Sequence, residues 1–229
     1  MQPAPLPRQA ARTAAVFTAL FLVLLALVAA RWGPLEGVDR DIVVDLHRSA
    51  VAHHGWTHVN RVLTDWFWDP WTMRALLAVA VGWLLWRRER WLALWVAVTA
   101  AVGTALQQAV KSAVDRPRPR WSHPVDWAHY AAFPSGHALT ATVAFGLLLW
   151  LMTLHGAPAA WRRLMAVVAA VSVLGVGFTR LYLGVHWPSD VVGGWLLGAA
   201  LVYGAIASYG YAQGRRSEHE SSRGGRVRS

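Results

Sequence analysis

The sequence predicts an all-α membrane protein, a polytopic bundle of six transmembrane helices whose chemistry-bearing residues gather at helix ends on the outer face. Three observations lead there. Hydrophobic residues make up 55% of the 229-residue chain and charged residues only 15%, where an ordinary soluble domain carries about 25% charged residues. Mean hydropathy is +0.33. Apolar runs of near membrane length recur along the whole chain, and the polar clusters fall between them. Lipid is therefore the expected solvent, and one membrane domain the expected organisation.

The first run, Ala14 to Ala30, follows Arg8 and Arg12 and closes on the small pair Ala29-Ala30. That pattern fits a cleaved signal peptide or a retained anchor, and its length favours the anchor. The second, Met73 to Trp86, is the weakest, although Trp66, Trp68 and Trp71 ahead of it suit an interfacial belt. Trp91 to Val110, Ala138 to Leu154, Leu164 to Phe178 and Val191 to Tyr209 complete the six. Several fall short of the ~20 residues that a perpendicular span needs. Residues 1–212 read as a single domain. Residues 213–229, rich in Ser, Gly and Arg, read as a basic, disordered cytoplasmic tail. The outer stretch between the first two helices holds Asp39, Asp41, Asp45, His47, His53, His54 and His58. Those spacings match no usual ligand pattern, so no metal is expected, and the stretch reads as an amphipathic surface segment that covers or borders a site.

Charge orients the bundle. The N-terminus, the segment from Arg87 to Arg90, Arg162-Arg163 and the tail together carry twelve basic residues and three acidic ones, whereas the intervening loops carry ten basic and nine acidic. The positive-inside rule puts the first set, with both termini, in the cytoplasm and the polar clusters outside the cytoplasmic membrane. The net +10 is then mostly topogenic, with some attraction to anionic lipid, and not the footprint of a nucleic-acid binder. There are no cysteines, which excludes disulfides, thiolate nucleophiles and cysteine-ligated metals. No repeat, heptad or Gly-rich nucleotide loop stands out, and oligomeric state leaves no mark on the sequence.

The polar clusters carry the chemistry. Lys111 is the one lysine beside 21 arginines. A snorkelling anchor at the membrane edge would be served equally by arginine, so the isolated lysine points to a position that wants a compact ammonium. Arg116 and Arg118 are each followed by proline, and spacing alone does not say which points inward; Arg120 reads as a surface charge. Pro134-Ser135-Gly136-His137 precedes the fourth helix, where Ser135 suits a cap, Gly136 permits close backbone approach, and unpaired N–H groups can bind an anion. Arg180 closes the fifth helix. In His186-Trp187-Pro188-Ser189-Asp190, the proline suits the first turn of the sixth helix, and Asp190 can fold back on the His186 imidazole, set its tautomer and raise its nucleophilicity. An ordinary cap or a lone His-x3-Asp is weak by itself. Three clusters returned to one membrane face make an inventory for gripping a phosphate and attacking it.

Taken together, Lys111-x6-Arg118-Pro119, Pro134-Ser135-Gly136-His137 and Thr179-Arg180-x5-His186-x3-Asp190 resemble the three signature motifs of the type 2 phosphatidic acid phosphatase family. That family includes bacterial lipid diphosphate phosphatases and shares its site with vanadium haloperoxidases. The one departure is Thr179, where the family usually has serine. The resemblance implies six transmembrane helices, no cofactor, no metal requirement and a lipid phosphate or diphosphate as substrate. It resolves the register in favour of Arg118 over Arg116, so that Arg116→Lys is expected to be nearly silent. Lys111, Arg118 and Arg180 would hold the phosphate oxygens, with Ser135 and the Gly136 amide completing the cradle. His186 would attack phosphorus to give a phosphohistidine, Asp190 would orient it, and His137 would protonate the leaving group and later deprotonate water. Polyprenyl diphosphate, phosphatidic acid and phosphatidylglycerophosphate types all fit, with a lean to the first because the site faces outward. A lipid-to-lipid phosphotransferase would use the same residues. A non-enzymatic lipid transporter is disfavoured because its charges would lie near mid-bilayer.

Overall fold

The computed structural model describes residues 7–226, with side chains through Arg215. The described residues form eight α-helices: α1 Pro7–Ala29, α2 Gly33–Ala52, α3 His54–Val62, α4 Pro70–Trp86, α5 Arg90–Val114, α6 Gly136–Leu154, α7 Ala159–Tyr182 and α8 Pro188–Arg226, with a π-helical turn Leu63–Phe67 following α3. Each of the six expected segments falls on a helix, and among the described residues five (α1, α5, α6, α7 and α8) are long and apolar enough to cross a bilayer. The second expected segment falls on α4, which is apolar but only 17 residues long. α5 and α7 outrun their expected limits because their polar last turns, with Lys111 and Arg180, continue the helix instead of ending it.

α1 packs along α8, with Phe17 stacked on Tyr203 at 5.9 Å, so it behaves as an integral member of the bundle. α6 lies at the centre, against α8, α7, α4 and α5, and buries Leu139, Val143, Leu147 and Leu151. Lipid-facing apolar side chains cover the outer helices, among them Val16 and Val23 on α1, Val79 on α4, and Val167, Val171 and Leu174 on α7. Such a surface is stable only in a hydrocarbon solvent.

The stretch expected as an amphipathic surface segment folds as α2, α3 and the π-helical turn, laid across α7 and α8. Its polar exterior leaves His53, His54 and His58 exposed, while His47 is buried and stacks on Trp121 at 3.9 Å. α8 continues as helix through Arg226, into the segment expected to be a disordered tail. No proline follows Tyr209, and extending an established helix needs little further ordering per residue. Residues 227–229 lie outside the described part of the chain.

Candidate active site

Two connections bring the clusters to one end of the bundle. α5 stops at Asp115, which takes left-handed backbone (φ 42°), and Pro117 and Pro119 then keep the chain extended through a loop that reaches Ser135. α7 stops at the glycine that a left-handed cap favours: Gly184 has φ 68°, and Val185 N donates back to Arg180 O. The loop is pinned on this second turn. Trp121 Nε1 donates to Gly184 O at 2.8 Å and Trp187 Nε1 to Pro117 O at 2.9 Å. Arg61 of α3 donates to Val125 O from above.

Pro188 opens α8, so His186 stands just ahead of the helix, as the sequence predicts. Asp190 is the third residue of that first turn. Its Oδ2 accepts the Trp187 N–H at 2.8 Å, the backward half of a capping box, and lies 3.2 Å from His186 Nδ1. An Nδ1–H donated to Asp190 leaves Nε2 with its lone pair, and Arg118 Nη1 lies 3.1 Å from that nitrogen. Burial, followed by the charges of Arg118, Arg180, Lys111 and Arg116, pushes His186 well below the usual imidazole range. The ring is therefore neutral near pH 7, the form that can attack.

A cavity of about 620 Å³ opens in front of it, lined by Lys111, Arg118, Gly136, His137, Arg180 and His186 together with Asp65, Asp69, Arg74, Gln107 and Asp126. Six of the eight residues singled out in the sequence meet there. The other two, Ser135 and Asp190, are wholly buried behind the wall. Ser135 occupies the cap position of α6 but makes no side-chain cap; its N–H donates to Asp190 O at 2.9 Å, and its Oγ is a buried polar atom with no partner among the described residues. Arg180 is likewise buried. Its Nη1 donates to Thr64 Oγ1 at 3.3 Å and lies 3.8 Å from Asp126 Oδ2, while its Nε has no partner among the described residues. Buried donors of this kind cost folding free energy unless something arrives to accept from them.

The other two cations are held by main chain. Lys111 Nζ donates to Ala131 O, and Arg118 donates to Tyr130 O at 2.9 Å, Val185 O at 2.6 Å and His129 O at 3.1 Å. Burial and the nearby Arg180 charge bring Arg118 down to about 10, still cationic at neutral pH. Gly136 sits under the Gln107 amide, where a Cβ would stand 2.7 Å from Nε2. Thr179, at the position of the expected serine, turns its hydroxyl to Val176 O at 2.9 Å, buried away from the cavity.

Arg116 requires a correction. Its near-silence on replacement by lysine does not survive the geometry. The guanidinium is buried, with Nη2 on Asp39 Oδ2 at 2.7 Å and Nη1 on Asp190 Oδ1 at 2.7 Å, a fork that one ammonium does not reproduce. Arg120 is exposed, as expected. Asp65, which the sequence did not single out, lies on the cavity wall with its pKa raised by burial and by the neighbouring Asp126.

The family model described as the PAP2 superfamily matches residues 92–213, more than half of the chain. Phosphatidylglycerophosphatase B of Bacillus subtilis is 27% identical over 130 residues, 56% of this chain and 63% of that relative, so the match spans just under two thirds of its length. Undecaprenyl-diphosphatase of Sulfolobus acidocaldarius is 26% identical over 195 residues, 78% of this chain and 84% of the relative. Decaprenylphosphoryl-5-phosphoribose phosphatase of Mycobacterium tuberculosis is 37% identical over 141 residues, 59% and 68% of the two chains. Among solved structures, a transmembrane PAP2-type phosphatidylglycerolphosphate phosphatase from Bacillus subtilis superposes with a TM-score of 0.73, covering 84% of this chain and 94% of that one at 22% identity. That likeness is one of fold.

Proposed function

The chain belongs to the PAP2 superfamily, and from that membership we propose that it is a membrane-embedded phosphatase that releases phosphate from a lipid phosphate monoester or diphosphate through a phosphohistidine on His186. One observation carries the reading. A buried, neutral imidazole is backed at Nδ1 by Asp190 and presents Nε2 to a cavity walled by Lys111, Arg118 and Arg180.

The chemistry follows from the arrangement. The three cations and the first N–H groups of α6, where Gly136 lines the cavity, stabilise charge on the equatorial phosphoryl oxygens. His186 Nε2 attacks phosphorus in line with the leaving oxygen, and Asp190 supports the imidazolium that develops. His137, on the first turn of α6 and lining the same cavity, protonates the departing alkoxide or phosphate. It then takes a proton from the water that frees the enzyme. The cations supply the charge that a metal would bring.

Exposed aromatics rim the mouth. Trp71, Trp127 and Tyr130 line the cavity and also project into their surroundings, Trp127 with 77% of its surface free. Tryptophan and tyrosine prefer the headgroup level of a bilayer, which suits a substrate arriving sideways from lipid. On this reading the protein resides in the cytoplasmic membrane with cytoplasmic termini and an outward-facing site. The most informative experiment is phosphate release by the purified protein in detergent from a panel of phosphatidic acid, phosphatidylglycerophosphate and polyprenyl diphosphate, with and without an acceptor lipid. Inorganic phosphate from at least one substrate supports hydrolysis. Phosphate recovered only on the acceptor identifies a transferase instead.

A further inference from the structure

Behind the catalytic histidine lies a polar network that reaches beyond the residues of the signature motifs. Asp39, on α2, is only 1% exposed, in a helix whose neighbouring carboxylates Asp41 and Asp45 face solvent. Its Oδ1 accepts the Ser189 N–H at 2.9 Å, and its Oδ2 accepts both the Ser189 hydroxyl and Arg116 Nη2. Arg116 Nη1 in turn donates to Ser189 Oγ at 2.6 Å and to Asp190 Oδ1 at 2.7 Å. Asp190 spends its second oxygen on Trp187 N–H and His186 Nδ1. Each carboxylate oxygen of both aspartates thus has a donor, and none of the four groups reaches the cavity wall.

We propose that Asp39 is a positioning residue of the reaction centre, holding the Asp190 carboxylate and through it the His186 imidazole in register by way of Arg116 and Ser189. The inference rests on His186 being the nucleophile. Its physical basis is charge order. Asp39, Arg116 and Asp190 alternate negative, positive, negative, so Asp39 shares the guanidinium and leaves Asp190 able to accept from imidazole. Without the Asp39 charge, Arg116 turns wholly to Asp190, and the imidazole faces an uncompensated cation from behind as well as Lys111, Arg118 and Arg180 in front, with His137 across the cavity. Two buried ion pairs formed by one arginine also cost desolvation. A network kept in spite of that cost fits an orienting role.

The test compares Asp39→Asn, Asp41→Asn and His186→Ala in detergent, with dioctanoyl phosphatidic acid as the probe. Melting temperature, kcat, KM and the pH dependence of kcat/KM are recorded for each. Asp39→Asn is expected to lower kcat about tenfold with KM within about twofold, and to lower the melting temperature as the loss of one partner of a buried ion pair does. Its acid limb moves to lower pH, because an uncompensated Arg116 makes His186 harder to protonate. Exposed Asp41→Asn matches wild type in all four measurements. A wild-type kcat and an unmoved acid limb in Asp39→Asn, or a lower melting temperature alone, overturn the proposal. Should Asp39→Asn fail to accumulate, the charge-balanced Asp39→Asn with Arg116→Gln takes its place. That pair restores the acid limb but leaves kcat depressed, and an unchanged kcat counts against the role. Turnover in His186→Ala would instead sink the phosphohistidine reading itself, so the two failures are told apart.

Discussion

His186 has two unlike sides. In front, cations line a solvent-reached cavity, and the buried Arg180 Nε lacks a partner among the described residues. Behind, Asp190, Arg116, Ser189 and Asp39 are all buried, and both Arg116 Nη atoms, the Ser189 hydroxyl and every carboxylate oxygen have partners. The front holds donors in reserve for charge that arrives with a substrate, and the back is complete before anything binds. Catalytic preorganisation asks for that division, because donors that must reorient cost barrier height, whereas a base that must be oriented cannot wait for the ligand.

The sharpest way to break the comparison is to remove the group on which both sides converge. His186→Ala should abolish turnover, a loss on the order of 10⁵-fold or more, on alkyl and aryl phosphates alike. His137→Ala touches the front alone. It should cost about 10³-fold on an alkyl phosphate, whose alkoxide leaves badly without a proton, and much less in the phenol-releasing step of an aryl phosphate. Rapid-mix phenol release with acid-labile phosphate trapping reads both. Equal losses on the two substrates for His137→Ala, or a trapped phosphoenzyme in His186→Ala, would reverse the assigned roles.

Exchanging cations tests whether shape matters on each side. Lys111→Arg puts a planar fork where a compact ammonium meets the Ala131 carbonyl, and kcat/KM should fall about tenfold or more. Arg116→Lys should also cost activity, and stability by about 3 kcal/mol, because one of two buried carboxylates loses its partner. A thermal melt separates them: the front exchange leaves unfolding nearly unchanged and the rear one does not. The smallest effect is expected from excess EDTA, with turnover on a phosphatidic acid probe preserved, since the front cations already supply the positive charge. Loss in chelator with recovery on Mg²⁺ would show that they do not.

The bundle and the front of the site were legible because their signals are local. A run of Ala, Leu and Val declares a buried or lipid-facing helix by itself, and each cluster packs its chemistry into a short window, as Ser135 to His137 or His186 to Asp190. α2 and α3 were less legible as helices, because their apolar residues are sparse and broken by histidine and aspartate. The rear network left no local trace. Asp39 is 77 residues from Arg116 and 150 from Ser189, and it stands in a stretch with other aspartates that do nothing comparable. Arg116 was set aside because the motif register had room for one inward arginine in front, and its second direction, behind the histidine, exists only once α2 is folded over α8.

The tryptophan-rimmed mouth sets the kinetic order in which this protein is to be measured. On the proposed reading, a site bordered by Trp71, Trp127 and Tyr130 draws its substrate from the plane of the membrane, so the concentration that counts is molecules per unit area of lipid or micelle, not per volume of buffer. Adding inert detergent at constant substrate and enzyme spreads the substrate over more surface and slows turnover, although nothing has inhibited the protein. Surface dilution of that kind separates a catalyst that collects its substrate from lipid from one that draws it out of water.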